Sequence, residues 1–398
     1  MCSVKCFVKC GLPGALFGVL CVSAGTKIWY APNGFEAYGE EEIQAVVNCL
    51  RDGWLAGFGK RTQEFEKRVA AYFGKNYGIF LASGSSANLL ALRILDVGPG
   101  DEVITPACTF ATTVAPIIQV GATPVFCDVG IGTYVANVDD VVKLITPKTK
   151  CILLPNLMGN KPDWKKLRSL TTLPLIEDSC DIMTYTMETD ISTTSFYASH
   201  IITAGGSGGM LMVNDERLLK KATMYRDWGR IGDNGEEVGD RFSYKIDGIP
   251  YDFKFLYGVD GYNLKSSEMN AAFGLVQLDR LANNKIKRRA LFERYLENLK
   301  GTKFVLPDDS LKQDWLAMPL MTNKRLELIN FLEEHGVQTR VLFAGNVSRH
   351  PAYRKFLTVL PNADRIMKEG LLIGAHHGMT IEDVDYVCKL LITWDGKN

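Results

Sequence analysis

No lysine occurs between Lys166 and Lys220, and no cysteine between Cys180 and Cys388. Imine chemistry at a carbonyl needs a side-chain amine, so the first gap denies the residues between those lysines a covalent anchor of that kind. The second gap removes thiolate ligands from much of the C-terminal half, which excludes a cysteine-bound iron–sulfur cluster there. Charge of one sign is also missing. Lys+Arg and Asp+Glu each number 45, so no net field draws the chain to nucleic acid or an acidic membrane, and an anionic ligand must be held by a local site. The apolar run Cys10 to Ala24 is interrupted by Gly11, Pro13, Gly14 and Gly18. It falls short of the roughly 20 residues a membrane-spanning helix needs. Neither nucleic acid nor a membrane is therefore expected as a partner.

What is present is a chain with a 46% hydrophobic content, enough over this length for a large core divided among two or three domains. Of the ten cysteines, Cys2, Cys6, Cys10 and Cys21 cluster near the start without zinc-site spacing or a nearby histidine. Several others lie within apolar, strand-like runs, where a free thiol behaves as a small hydrophobe. That usage suits a reducing compartment and a cytoplasmic location. Lys5 and Lys9 ahead of the apolar run imitate a signal peptide, but its glycines and proline argue against one. Residues 1–26 read as an N-terminal extension.

From Lys27 onward the pattern becomes globular. GEEEIQAVVNCLRDG has acids at its start and Gly53 past its end, which predicts a helix; a second follows from Thr62 to Phe73. Apolar strand-like runs then alternate with helical segments: Gly78 to Ala82, Glu102 to Thr105, Thr123 to Cys127, Cys151 to Leu154 and Leu173 to Asp178, with Gly209 to Val213 later. This alternation predicts an α/β fold built on a mostly parallel sheet covered by helices on both faces. Trp228 to Asp260 lacks a clear period and reads as a long functional loop. Helices Ser266–Leu281 and one ending near Leu299, joined by the basic segment Lys285–Arg289, mark the expected boundary. They divide a large domain, 27–285, from a smaller C-terminal α+β domain, 286–398.

The stretch around which the chain is organised is Ile176 to Gly209, IEDSCD followed by SFYASHIITAGGSGG. Two strand ends there face one pocket, the place where open α/β sheets bind ligands. Upstream, Ser83-Gly84-Ser85-Ser86-Ala87-Asn88 turns from strand directly into helix. The unpaired N–H groups of that helix start, its dipole and three hydroxyls form a candidate phosphate cradle, although a plain N-cap turn has the same sequence. Asp178 ends an apolar strand, while Glu177 points to the other face and reads as a helix cap or surface acid. Phe110 opens a helix after a strand, where a core phenylalanine is the alternative.

These residues resemble the DegT/DnrJ/StrS sugar aminotransferase family, fold-type I enzymes that use pyridoxal 5'-phosphate (PLP) on nucleotide-linked keto-sugars. In the family pattern a lysine occupies the slot of His200. Histidine there resembles the branch of 3-dehydratases that make 3,6-dideoxysugars using pyridoxamine 5'-phosphate (PMP). The resemblance implies that His200 is the base, that Gly84, Ser85 and Ser86 hold the cofactor phosphate, and that Asp178 faces the ring nitrogen. It places Phe110 over the ring, Asp181 near the ring hydroxyl where many relatives carry glutamine, and Ser195 beside the cofactor. GYNLKSSEMNAAFGLVQLDRL (Gly261 to Leu281) resembles the helix start whose asparagine, Asn263 here, reaches the phosphate of the other subunit, which implies a homodimer. TRVLFAGNVSRHPAY (Thr339 to Tyr353), RDWGR (Arg226 to Arg230) and PNLMGN (Pro155 to Asn160) also match the dehydratase branch.

Three departures stand out: a short spacer between Asp181 and Ser195, a turn reading GGSGG where GEGG is usual, and the loss of its glutamate. The cysteine gap favours the route without an iron–sulfur cluster, like that of GDP-4-keto-6-deoxymannose 3-dehydratases. The implied partners are a nucleotide-linked keto-sugar and glutamate. Two further readings stay open: a PLP-binding relative or scaffold without turnover, and an aminotransferase using Lys265 or another distant lysine.

Overall fold

The computed structural model describes residues 28–232 and 237–397. The N-terminal extension and its four cysteines lie outside the described residues. After helices α1 (Glu40–Asp52) and α2 (Lys60–Tyr72), strands and helices alternate. They run β1 (Tyr77–Leu81), α3 (Gly84–Ile94), β2 (Glu102–Pro106), α4 (Ala111–Gln119), β3 (Thr123–Cys127) and α5 (Val138–Lys143). Then come β4 (Thr149–Pro155), α6 (Trp164–Leu170), β5 (Leu175–Asp178), β6 (Ile191–Ser195), β7 (Gly209–Val213) and α7 (Glu216–Arg226). The strands form one sheet in the order β1-β7-β6-β5-β4-β2-β3. Only β7 runs against its neighbours. Both faces of β6 and β7 are buried, as helices on either side of a largely parallel sheet require.

Asp178, Ser195 and the turn after Leu81 leave the sheet at one edge, the carboxyl ends of the parallel strands. Gly209 starts the reversed strand at that edge and pairs with both Leu81 and Ser195. The segment read as a loop contains α8 (Val238–Arg241) and a hairpin, β8 (Tyr244–Ile246) with β9 (Ile249–Tyr251). Its turn residues Asp247 and Gly248 both have positive φ, 50° and 84°, the backbone that an Asp-Gly hairpin turn favours.

Where two helices were expected there is one, α9 (Glu268–Leu299). The proposed division at residue 285 therefore falls inside a continuous helix. Its basic segment is no linker: Lys285 pairs with Asp314 at 2.7 Å, and Arg289 pairs with Asp309. Between them, buried Arg288 donates through Nη1 to the Leu316 carbonyl at 3.0 Å. Beyond α9 lie β10 (Ala317–Met321), α10 (Arg325–Glu334), β11 (Thr339–Val341), α11 (Pro361–Glu369), β12 (Gly370–Gly374) and α12 (Ile381–Lys397). The three strands form an antiparallel sheet with β12 central. Its core is continuous with the large sheet's periphery, since Phe292, Tyr295 and Trp315 share a cluster with Ala107, Cys108, Val114 and Met158. Among the described residues no helix is long and apolar enough to cross a membrane.

Candidate active site

The cradle is built as the sequence suggests. Ser83 is the N-cap of α3, and its Oγ accepts the Ser86 N–H at 3.1 Å and lies 2.9 Å from the Ser86 hydroxyl. Gly84 is required by contact. A Cβ there would sit 2.7 Å from both Cys180 Sγ and Ser195 Cβ, so a side chain would push the helix start out of the site. Ser85 is half-buried on the same first turn. The glycine turn backs onto this cradle: a Cβ at Gly209 would lie 2.2 Å from the Ser83 carbonyl carbon. The free N–H groups and dipole of α3 suit a phosphate dianion.

Asp178 sits at the end of β5, buried beside the cradle helix. Its Oδ2 accepts from Asn88 Nδ2 and from Thr113 Oγ1, both at 2.8 Å. Asn88 is held in turn by the Thr193 hydroxyl at 2.6 Å, and Thr113 by Thr109 at 2.8 Å. Oδ1 receives the longer Cys180 N–H bond, 3.3 Å. A carboxylate so fixed can face a protonated ring nitrogen. Asn88 had been grouped with the phosphate cradle; its amide instead serves Asp178, because it lies one helical turn below the N–H groups.

Asp181 is buried and accepts the Met158 N–H at 2.9 Å. Desolvation, with the nearby Asp178 charge, pushes its carboxyl up to about 7. His200 follows β6, its Nδ1 3.3 Å from the Ser195 carbonyl. As the Nδ1–H donor of that pair, the ring keeps its Nε2 lone pair free. Burial lowers His200 to about 4, so the imidazole is neutral at physiological pH. The edge of Tyr197 meets the ring at 6.1 Å between centroids. Ser195 joins the groups together: its carbonyl meets His200 and its Cβ faces Gly84.

Phe110 caps the start of α4 and is 57% exposed, so a broad ring face is uncovered. One turn on along α4, Thr113 binds Asp178. Asn263 is not gathered with the others. It is exposed, on a segment that bridges to Asp227. Lys265 is committed elsewhere: its Nζ pairs with Asp227 at 3.2 Å and lies over the Trp228 and Phe58 rings.

Glu177 corrects the sequence reading. It is fully buried on the opposite sheet face, where Asn156 Nδ2 donates to it at 3.3 Å, and desolvation raises its carboxyl. Buried Lys75 lies on that side too, with Nζ donating to the carbonyls of Thr186 at 2.9 Å and Thr189 at 2.6 Å. Sequence reasoning missed Thr113, Met158 and Phe343. Of these, Met158 and Phe343 carry a signal, since they lie in the matched stretches PNLMGN and TRVLFAGNVSRHPAY.

The mostly parallel sheet flanked by helices is the fold of the fold-type I PLP enzymes, and the cradle and the buried carboxylate of Asp178 lie at the carboxyl edge of that sheet. Residues 36–392 match the DegT/DnrJ/EryC1/StrS aminotransferase family, and the chain belongs to that family. It is 37% identical to the lipopolysaccharide biosynthesis protein RfbH of Salmonella typhimurium, covering 94% of this chain and 93% of that one. It is 34% identical to the dTDP-4-dehydro-2,6-dideoxy-D-glucose 3-dehydratase of Saccharopolyspora spinosa, covering 90% and 85%. In fold it resembles the E. coli GDP-4-keto-6-deoxy-D-mannose-3-dehydratase solved with bound hydrated PLP. That match has a TM-score of 0.82 at 24% identity and covers 92% of this chain and 100% of that one.

Proposed function

We propose that the protein is a PMP/PLP-dependent 3-dehydratase of a nucleotide-linked 4-keto-6-deoxyhexose, with His200 as the base. The observation that carries this reading is the tethered, neutral imidazole of His200 in the slot where the family pattern has lysine. The residues around it fit the cofactor: the cradle offers N–H groups where only glycine fits, and Asp178 offers a fixed buried carboxylate. When bound, PMP supplies an amine for the sugar ketone and a ring that takes up an electron pair.

In this reading the chain's own residues do the following. Ser83 to Ser86 bind the phosphate, and Asp178 keeps the ring nitrogen protonated, held in register by Asn88 and Thr113. His200 Nε2 would accept a proton as the base of the reaction and pass it to the C3 hydroxyl of the sugar, which would leave as water. Asp181, whose burial favours the protonated form, donates to the ring hydroxyl. The products would be a 3-deoxy keto-sugar, water and ammonia, with glutamate as the amine donor. Asn263 completes the phosphate site of a second copy, so the working unit is a homodimer.

The test is to incubate the protein with PMP and a panel of GDP-, CDP- and dTDP-linked 4-keto-6-deoxyhexoses and weigh the products. Loss of the 3-hydroxyl is the expected result. Amino-sugar products would instead make it an aminotransferase, and binding without turnover a non-catalytic relative.

A further inference from the structure

Phe343 lies just past β11 with φ at 45°, a backbone region that bulky residues rarely enter. Strain of this kind persists only where the surroundings impose it, and it gathers at functional sites. Here the surroundings are clear. The Ala344 N–H donates to the Thr109 carbonyl at 3.4 Å, and the Val347 N–H donates to the Ala107 carbonyl at 3.0 Å. The Tyr353 hydroxyl donates to the Ala111 carbonyl at 3.4 Å. Residues 343–353 are thus docked along the 107–111 loop that carries Phe110.

The result is one ring contact. Phe343 meets Phe110 edge-on, with centroids 6.4 Å apart and planes at 79°. That is a favourable aromatic geometry, and it restricts rotation of Phe110 about its side-chain bonds. Phe110 is otherwise largely uncovered, while Thr113 in the next turn binds Asp178 at 2.8 Å. A ring packed against the face of a cofactor must be held at a fixed tilt, and α4 alone holds only its backbone.

We infer that Phe343 is a positioning residue, using its positive-φ backbone to press its ring on Phe110 and fix the Phe110 plane over the cofactor. This inference rests on the proposed PLP/PMP site, but not on the dehydration step. Removing the ring loosens Phe110 whether or not the enzyme dehydrates.

The experiment compares Phe343→Gly, Phe343→Leu, Phe343→Tyr and Phe110→Ala by thermal melting and by the induced circular dichroism of PLP added to each protein. Phe343→Gly suits the backbone but gives up the ring's packing on the C-terminal core, so its melting temperature should fall while the protein stays folded at the assay temperature. Its cofactor dichroism should nevertheless fall several-fold, with about tenfold weaker PLP binding; Phe343→Leu should lose dichroism similarly and Phe343→Tyr retain it. Adding Phe343→Gly to Phe110→Ala should change nothing further, the non-additivity of a residue acting through its neighbour. Wild-type dichroism and affinity in Phe343→Gly, or additive losses in the double variant, overturn the inference alone. Failure of the wild-type protein to bind PLP overturns the cofactor site itself, and the inference with it.

Discussion

The Nδ1 atom of His200 lies 3.3 Å from the carbonyl oxygen of Ser195, the last residue of β6. The sheet thereby fixes which nitrogen is protonated. Because the other nitrogen stays free and burial keeps the ring uncharged, the histidine is set up to accept a proton rather than deliver one first.

Replacing His200 should therefore separate binding from chemistry. Loss of a general base typically costs about 10²- to 10⁴-fold in rate, so removal of the 3-hydroxyl in His200→Asn should drop by that order while PLP still binds. His200→Lys should lose dehydration equally but, after borohydride reduction, carry a phosphopyridoxyl label at residue 200 by peptide mapping. Dehydration at the wild-type rate in His200→Asn would show that another group is the base.

The titrations of His200 and Asp181 pull stability in opposite directions. His200 falls from 6.5 to about 4 on folding, so the unfolded chain binds the extra proton in that window and stability rises with pH across it. Asp181 climbs from 3.8 to about 7, so the folded chain holds the extra proton and stability falls as pH rises through that window. Relative to wild type, cofactor-free His200→Asn should gain melting temperature as pH drops from 6.5 toward 4. Asp181→Asn should gain it as pH rises from about 4 to 7. Melting differences without slope in either variant would contradict these assignments.

Most strands are legible because a sheet covered on both faces needs continuous apolar runs, and the Ile176 to Gly209 stretch does contain two strand ends at one edge, Asp178 and Ser195. The same rule explains the error at Glu177. Alternation correctly turned it away from Asp178, but that face is also covered, so the acid is buried instead of exposed. The break expected between two helices at Lys285 to Arg289 is absent from α9, because Asp309 and Asp314 pair with that basic segment from distant sequence. The bonds that Thr113 and Met158 make are unreadable for the same reason. Their partners, Asp178 and Asp181, come from other strands, and no local period records such a pairing. The Asp247–Gly248 turn is an Asp-Gly hairpin signal, set between strands of only three residues whose surroundings lack a period.

Thr113→Val tests how Asp178 is held. It keeps the shape of the side chain and removes one of the two shorter bonds to Oδ2. Leaving a buried acceptor short of a partner costs about 1–3 kcal/mol. The variant should melt earlier at neutral pH and bind PLP more weakly. Unchanged affinity would mean that Asn88 alone positions the carboxylate.

Asn263 provides the test of assembly. It is exposed on a segment that pairs with Asp227, near the exposed Trp228, and the cradle is built from Ser83 to Ser86 with neutral groups. A phosphate dianion held only by N–H groups and hydroxyls gains from each further donor, and an amide from a second copy supplies one without a full charge. Asn263→Ala should therefore leave the fold intact and weaken PLP binding by roughly tenfold, about the net worth of a single hydrogen bond to a charged group. Mixing Asn263→Ala with a cradle-defective Gly84→Ala chain decides whether the donor acts across subunits. If the amide crosses, both defects of a mixed dimer fall in the same site and leave the other intact, so an equal mixture should bind about a quarter of the wild-type PLP. Sedimentation of the wild type as an active monomer, or the absence of any recovery on mixing, would place Asn263 outside the cofactor site.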